Sequence, residues 1–435
     1  MSQLQTRVKD GLTWLDADCP CSVQPPGWRA FQLGLFFLPT SALISGLALL
    51  ASLTLWRPTA EPKPLSRPLA RLLLLLSIWL AVTALAAGGT LEVRLRVFNW
   101  LPFFWFVLAV QPYVAAPTSR RRLGLMVVIA TVPALLVGLS QALFHWSGPW
   151  TGLWGLLNWD LPSRFAHQGS GVFPNPNFTA AWYGMVLPLL ATETLMGRQR
   201  LTANATLLLL TLAIVLTGSR TVLSGGAVSL LLLAWTRFWK PLSVLAIALT
   251  LVVSAAVWLP DSNPIAALAE RVSGDLAEKM SNMAHGAGST AAEAIAAGRQ
   301  PFRSELFAQA FNFVATHPWL GLAEPLIGLP AVTPPALMTH THNVLFQLAI
   351  QHGLIAALLL VGVVSWLIAA ACLRLKTSCL GDRALVISGL MAVWLHAYDI
   401  PSFDSRNNML GWLLLGCCLA ISQTGSADAD TRTMA

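Results

Sequence analysis

The chain has 435 residues, of which 55% are apolar and only 11% are charged. Soluble domains carry about 25% charged residues, so this composition excludes an ordinary soluble protein. The net charge of +8 does not indicate nucleic-acid binding, because the basic residues lie between apolar runs, where they set topology and meet anionic headgroups.

Eleven apolar segments approach the length of about 20 residues that a helix needs to cross a bilayer. They are 31–56, 69–87, 97–114, 123–144, 178–196, 203–217, 222–238, 242–259, 353–373, 384–398 and 409–421. Pro39 interrupts the first segment, which is therefore either one long helix or a hairpin of two short helices. The predicted fold class is an all-α polytopic membrane protein with 11–12 transmembrane helices and one long extracytoplasmic loop.

Lysine and arginine follow the first, third, fifth, seventh and ninth segments, and this regular alternation predicts that those loops are cytoplasmic. The long loop then faces out, while residues 1–30 lie inside only if the first segment is a hairpin. The predicted division is an amphipathic or polar segment (1–30), a transmembrane bundle (31–259), a long periplasmic loop (260–342), C-terminal transmembrane helices (343–422) and a disordered tail (423–435).

Two arginines on the outer side suit an anion site. The corner Gly-Ser-Arg220 places one arginine where the chain re-enters the membrane, and Arg303 begins a run whose spacing predicts an amphipathic helix over 302–316. A guanidinium holds phosphate oxygens with two parallel hydrogen bonds and stays charged when partly buried. The alternatives are that Arg220 snorkels to the headgroups and that Arg303 is a solvated loop charge.

Histidines and asparagines add polar groups on the same side. His340 and His342 stand where the long loop returns to the membrane, without a third ligand at a metal-binding spacing, so no metal site is predicted. A histidine there is a natural proton acceptor near neutral pH. Asn175 and Asn177 flank a proline in a turn that is typical of a helix cap.

Three further residues are weaker candidates for contacts with a substrate. Arg164 lies on the same outer loop as the Asn-Pro-Asn turn and is suited to a lipid headgroup. Arg299, in the long loop, is interpreted first as a solvated charge. Asn343 follows His342 and is a candidate for orienting it. No Walker loop and no Asp-x-Asp motif occurs in the sequence, so neither ATP nor a metal-bound nucleotide sugar is predicted as a cofactor or donor.

These motifs, taken in order, resemble the O-antigen ligase and polymerase family. The resemblance runs from about residue 171 to 353 and rests on Gly-Val-Phe-Pro-Asn175-Pro-Asn177, Gly-Ser-Arg220, Arg303 with Phe307 and His-Pro-x-x-Gly321, and His342-Asn343. Phe307 departs from the tryptophan that is commoner in the family, at a position that packs rather than reacts. The sequence also resembles cyanobacterial members once labelled bicarbonate transporters.

The resemblance implies glycosyl transfer at the periplasmic face of the bacterial inner membrane. The implied donor is a glycan on undecaprenyl pyrophosphate, and the implied acceptor is a sugar hydroxyl of lipid A core or of another glycan. Arg220 and Arg303 would stabilise the leaving pyrophosphate without metal, and His342 would accept the proton of the attacking hydroxyl in an inverting displacement.

Three alternatives remain open at this point. An O-antigen polymerase would use the same chemistry on a different acceptor. A transporter of bicarbonate or of a lipid-linked glycan would need polar or charged groups along a path through the spans, and the apolar segments contain few of them. A scaffold protein would need none of the outer arginines and histidines.

Overall fold

The computed structural model describes residues 14–55, 67–86, 91–196, 200–236, 303–321, 341–398 and 404–433. Within these ranges the chain is helical apart from connecting turns and a two-stranded sheet. The predicted span 242–259 and most of the predicted long loop lie outside the described residues.

Thirteen α-helices follow one another within the described ranges. They are α1 (Pro25–Phe37), α2 (Ala42–Thr54), α3 (Arg67–Ala86), α4 (Leu91–Leu95), α5 (Leu101–Ala109), α6 (Pro117–Phe144), α7 (Pro176–Met196), α8 (Arg200–Leu216), α9 (Arg220–Thr236), α10 (Arg303–Thr316), α11 (Val344–Leu373), α12 (Leu380–Tyr398) and α13 (Ser405–Thr433). Strands β1 (Trp150–Gly152) and β2 (Leu157–Trp159) pair antiparallel between α6 and α7.

The hydropathy of the helices confirms a polytopic α-helical membrane protein. Among the described residues, α3, α6, α11 and α12 are long and apolar enough to cross a membrane, and α2, α5, α8 and α9 are shorter apolar helices. Large apolar side chains stay exposed on these helices, as expected where lipid replaces water: Leu47 is 58% and Leu358 is 60% exposed.

The first apolar segment is a hairpin, as the proline within it suggested. The helices α1 and α2 have 13 residues each and pack against each other, with Pro39 in the turn between them. The Ser41 hydroxyl caps α2 by accepting a hydrogen bond from the Ile44 backbone N–H at 3.2 Å. A Cβ on Gly34 would lie 2.7 Å from the Leu49 side chain, so glycine permits this close approach.

The segment before α1 lies against the basic start of α6. A guanidinium N–H of Arg122 donates to the Trp14 carbonyl at 2.7 Å, and the Arg122 guanidinium stacks 3.5 Å from the Trp14 ring centroid. Nearby, the hydrogen bonds from Arg29 lower the pKa of the Asp16 carboxyl. Residues 14–24 therefore lie on the side of the bundle that carries Arg122, which we call the basic face. The opposite side is called the outer face, after the sidedness that the sequence predicts.

A buried ion pair joins α6 to α12 at the basic face. The Arg120 Nε and Nη2 groups donate to the two oxygens of Asp382, both at 2.7 Å, and the side chains are 0% and 7% exposed. The third Arg120 nitrogen, Nη1, donates to the carbonyls of Val114 and Ala115. Every charged atom of this pair thus has a partner, which is the condition under which burial of charge is tolerated.

The β1–β2 hairpin is an unpredicted element of the outer face. Trp150 and Trp159 stack with ring centroids 4.3 Å apart, and Trp159 Nε1 donates to the Thr40 carbonyl at 2.8 Å. The Ser41 hydroxyl donates to the Leu156 carbonyl at 2.6 Å. These contacts hold the β-hairpin on the turn between α1 and α2, so the α-helical hairpin connects the basic face to the outer face.

Helix α13 begins on the outer face at an ion pair. Asp404 accepts hydrogen bonds from the backbone N–H groups of Arg406 and Asn407 and pairs with the Arg406 guanidinium at 2.5 Å. The helix continues to Thr433. The division of the chain predicted from the sequence, including a disordered tail from residue 423, stays a prediction.

Candidate functional site

Helix α11 contains a sharp bend, and this bend organises the candidate site. Gly353 has φ 80° and ψ 169°, which is not a helical conformation and divides α11 into a first half (344–352) and a second half (354–373). Residues of both halves, including Leu345 and Val364, line one cavity, so the halves are strongly angled. The apolar run before Gly353 is therefore a separate short helix rather than the top of the next span.

The bend is formed against a turn that follows α10. The backbone N–H of Leu354 donates to the Pro318 carbonyl at 2.7 Å. A Cβ on Gly353 would lie 1.8 Å from the Trp319 carbonyl oxygen, and one on Gly321 would lie 2.5 Å from the Ile350 carbonyl oxygen. The two glycines thus permit direct contact between two backbones. The freed His352 carbonyl accepts from Trp79 Nε1 of α3 at 2.9 Å, so the bend leaves this acceptor satisfied.

Helix α10 packs parallel along the first half of α11. Phe307 lies against Phe346 with ring centroids 5.4 Å apart, and further along Ala310 and Ile350 are buried together. The start of α10, which is Arg303, therefore lies beside the start of α11, where His342 is found. The predicted end of α10 at His317-Pro318 is confirmed, as is the packing role of Phe307.

The turn that carries His342 is fixed by its neighbours. His342 has φ 53° and is half-buried, and a left-handed conformation is uncommon outside glycine. The Thr341 backbone N–H donates to the Gln347 side chain at 3.1 Å, and the Thr341 hydroxyl donates to the Asn343 carbonyl at 2.8 Å. Since both flanking residues are held, the position of the His342 backbone is determined before any substrate binds.

Asn343 is the N-cap of α11. Its side-chain oxygen accepts from the backbone N–H groups of Leu345 and Phe346 at 2.9 and 3.0 Å, and its side-chain nitrogen donates to the Ala397 carbonyl of α12 at 2.9 Å. The side chain therefore orders the turn next to His342 and joins it to the outer end of α12. This capping role accounts for Asn343 without substrate contact, and its predicted role in orienting His342 stays a prediction.

Replacing Asn343 by alanine is expected to lower the free energy of unfolding by about 1–2 kcal/mol, because α11 loses its cap. Asn343→Asp retains the capping oxygen and loses only the bond to Ala397, so we expect a smaller decrease. Thermal unfolding of both variants in detergent measures the difference. Equal stability of the alanine variant and the wild type would contradict the capping role.

Arg220 begins α9, and the start of α9 lies against the outer end of α12. Gly218 has φ 68° and forms the corner between α8 and α9. The Thr221 carbonyl accepts from Trp394 Nε1 of α12 at 3.1 Å. Because Trp394 lies one turn before Ala397, the starts of α9 and α11 are both attached to the last turn of α12. The structure thus brings the starts of α9, α10 and α11, with Arg220, Arg303 and His342, to one region. The Arg220 side chain is exposed there.

An apolar cavity of about 280 Å³ lies beside this region, called the apolar cavity below. It is lined by the start and second half of α11, by the outer half of α12 and by α13, with Trp100 and Trp412 among its walls. Asn408 and His396 contribute polar groups, and no residue of the described lining carries a fixed charge. Its chemistry suits a hydrocarbon chain better than an ion.

The other predicted residues lie either in the loop before α7 and at the start of that helix, or outside the described residues. Asn175 caps α7: its side-chain oxygen accepts from the Asn177 backbone N–H at 2.8 Å, which accounts for the Asn-Pro-Asn turn. Arg164 lies in a short 3₁₀ helix on the same loop. Arg299 and His340 lie outside the described residues.

One outer-face residue was missed by the sequence reasoning. The Arg406 guanidinium donates to the carbonyls of Pro39 and Val172 at 3.3 and 2.8 Å, and it lies 4.1 Å from the Phe173 ring centroid. Together with Asp404 it joins α13 to the α1–α2 turn and to the loop before α7; we call this pair the Asp404–Arg406 clamp. The Asp-Ser-Arg sequence at the predicted start of a span was the available signal, since aspartate is a preferred cap.

The fold and the site define a multi-pass membrane protein with polar candidate residues gathered at one end of its helices. Residues 205–361 match the family model described as O-antigen ligase. The match contains Arg220, Arg303, His342 and the bend in α11 at Gly353. It confirms the resemblance to that family. A search of curated proteins finds no match. The matched segment is thus similar to O-antigen ligases, in a chain whose apolar helices mark a multi-pass membrane protein.

Proposed function

We propose that the chain transfers a glycan from undecaprenyl pyrophosphate to a sugar hydroxyl at the periplasmic face of a bacterial inner membrane. The acceptor is lipid A core, and the O-antigen polymerase reaction is the alternative with the same chemistry. The observation that carries this proposal is the parallel packing of α10 on the first half of α11, which puts the helix starts at Arg303 and His342 side by side.

His342 acts as the base in the proposed step. It accepts the proton of the acceptor hydroxyl as the hydroxyl oxygen bonds to the anomeric carbon of the donor. The bond from that carbon to the phosphate oxygen breaks, and the pyrophosphate leaves with the electron pair, so the sugar is inverted. Negative charge grows on the pyrophosphate in the transition state, and two guanidinium groups, from Arg220 and Arg303, stabilise it.

The apolar cavity supports a lipid-linked donor. A prenyl chain buries its methylene and methyl groups there, at about 25 cal/mol per Å² of apolar surface, while its pyrophosphate stays at the outer end of the helices. Asn175, Asn177, Arg164, Arg299 and His340 are the proposed residues for further contacts with the glycan or with headgroups.

Loss of the base is expected to lower the transfer rate about 100-fold or more. The variant to use is His342→Asn, because asparagine tolerates the left-handed backbone that His342 adopts while it cannot take the proton. Transfer by the purified protein from a lipid-linked oligosaccharide to a lipid A core acceptor, in the presence of a chelator, measures the rate. Arg220→Ala and Arg303→Ala are expected to lower it by about 100-fold each. Wild-type rates in folded variants would contradict the proposal.

Sidedness has its own test in intact cells. Trp154, in the β1–β2 hairpin, is 98% exposed on the outer face, and Arg121 is half-exposed on the basic face. A cysteine replacing Trp154 is expected to react with an impermeant maleimide added outside, whereas a cysteine replacing Arg121 is expected to react only after the membrane is permeabilised. The reverse pattern would place the site in the cytoplasm.

A further inference from the structure

A second cavity, of about 410 Å³, opens on the outer face, and we call it the outer-face cavity. One wall is the turn at 40–43 between α1 and α2, the second is the β1–β2 hairpin, and the third is the start of α13 with the loop before α7. Its volume lies in the range of small-molecule sites. The two hydrogen bonds from Ser41 and Trp159 that join the first two walls hold it open without a ligand.

The lining mixes polar and apolar groups. Asn158 and Asp160 of the β-hairpin are exposed there, while Leu43 and Pro174 supply apolar surface. Such a surface accepts hydrogen bonds through carboxylate and amide oxygens and packs against C–H groups. A lipid tail would leave these polar groups unsatisfied, so hydrocarbon is not the ligand that this lining favours.

The charges of the lining argue against an anion. The lining contains two carboxylates, Asp160 and Asp404, and one guanidinium, Arg406. Arg406 already pairs with Asp404 at 2.5 Å and donates to two carbonyls. A phosphate would meet net negative charge here, in contrast to the arginine pair proposed for the donor. A neutral polyhydroxylated group fits better, since its hydroxyls donate to the carboxylates and its ring faces pack on the apolar wall.

The position of the outer-face cavity connects it to the proposed reaction. The first turns of α13 lie between the two cavities: Asp404 and Arg406 line the outer-face cavity, and Asn408 and Gly411 line the apolar cavity. A helix with its side chains is about 10–12 Å across. A short oligosaccharide can therefore have one sugar in the outer-face cavity while another sugar is at the site proposed for His342.

We propose that the outer-face cavity binds a neutral sugar of a glycan substrate, away from the bond that is made or broken. The assignment of this sugar to a substrate rests on the proposed function. Asn158 and Asp160 are the residues that recognise its hydroxyls. The sugar belongs either to the acceptor or to the donor glycan, and the kinetic experiment distinguishes the two.

Binding is tested first, without turnover, on the full chain carrying His342→Asn. The probes are neutral trisaccharides of glucose, galactose and mannose, and saturation-transfer NMR in detergent is the readout. We expect a saturation-transfer signal on at least one probe. The signal is expected to be lost when the double substitution Asn158→Ala, Asp160→Asn is added. The control is Asp18→Asn, an exposed aspartate before α1 whose replacement is expected to change nothing. The proposal is overturned if no probe gives a saturation-transfer signal, or if the signal persists in the double variant.

Kinetics then identifies the substrate. In the otherwise wild-type chain the double variant is expected to raise one KM about tenfold and to leave kcat near its original value, since the two lost hydrogen bonds act on substrate and transition state alike. A raised acceptor KM assigns the cavity to the acceptor, and a raised donor KM assigns it to the donor. Unchanged values for both contradict a substrate role. Probe binding by a chain that shows no transfer would contradict the proposed function and leave the sugar site standing.

Discussion

Replacing Gly353 by alanine is expected to lower the free energy of unfolding by roughly 3 kcal/mol or more and to abolish glycan transfer. The φ and ψ of this residue, 80° and 169°, fall in a region that is essentially restricted to glycine and costs other residues about 1–3 kcal/mol. The added Cβ would also lie 1.8 Å from the Trp319 carbonyl oxygen, so the turn after α10 must move away. Arg303 would then lose its position beside His342.

The matched control is on the same helix. A Cβ on Gly362, in the second half of α11, would meet no atom within 4 Å. Because alanine has the higher helix propensity, Gly362→Ala is expected to be neutral or stabilising by up to about 1 kcal/mol. Thermal unfolding in detergent and the transfer rate are measured for both variants. If Gly353→Ala unfolds and reacts like Gly362→Ala, the backbone contact with Trp319 does not determine the site.

The second large effect is expected at the buried ion pair of the basic face. Asp382→Asn leaves the Arg120 guanidinium charged and buried without a counter-ion, and the free energy of unfolding is expected to fall by about 3–5 kcal/mol. Replacing both partners, Arg120→Met with Asp382→Leu, removes the uncompensated charge. The double variant is therefore expected to be more stable than Asp382→Asn, although the Val114 and Ala115 carbonyls lose their donor.

Arg121 provides the comparison for this pair. It is 49% exposed and lies 3.8 Å from Glu193, so Arg121→Ala is expected to cost less than about 1 kcal/mol. The unfolding midpoints of the three variants, measured in one detergent, give the order of stability. An Asp382→Asn protein as stable as Arg121→Ala would show that water or lipid headgroups reach the Arg120 guanidinium.

The sequence predicts those parts of the fold that depend on local chemistry. Apolar length predicts the helices, Pro39 predicts the helical hairpin, and the spacing in 302–316 predicts α10. Gly218 marks the corner before Arg220, and Asn175 is correctly interpreted as a cap. In each case the deciding group lies within a few residues of the feature, so no tertiary contact is needed to predict it.

Other features depend on contacts between distant segments. The run 344–373 is almost continuously apolar, and its bend follows from the backbone of Pro318 and Trp319, which no periodicity within the run reveals. The partners of Arg406 are backbone carbonyls, which carry no residue-specific signal. The gathering of the helix starts at the last turn of α12 likewise depends on Trp394 and Asn343, each of which has an ordinary local explanation.

The Asp404–Arg406 clamp has a consequence for how the protein is made. Its partners, the carbonyls of Pro39 and Val172, are synthesised long before Arg406. When every earlier helix has been inserted into the membrane, the outer face is therefore not yet closed. Biogenesis thus contains a late assembly step: a chain truncated before Asp404 is expected to enter the membrane but to remain sensitive to protease on its outer loops.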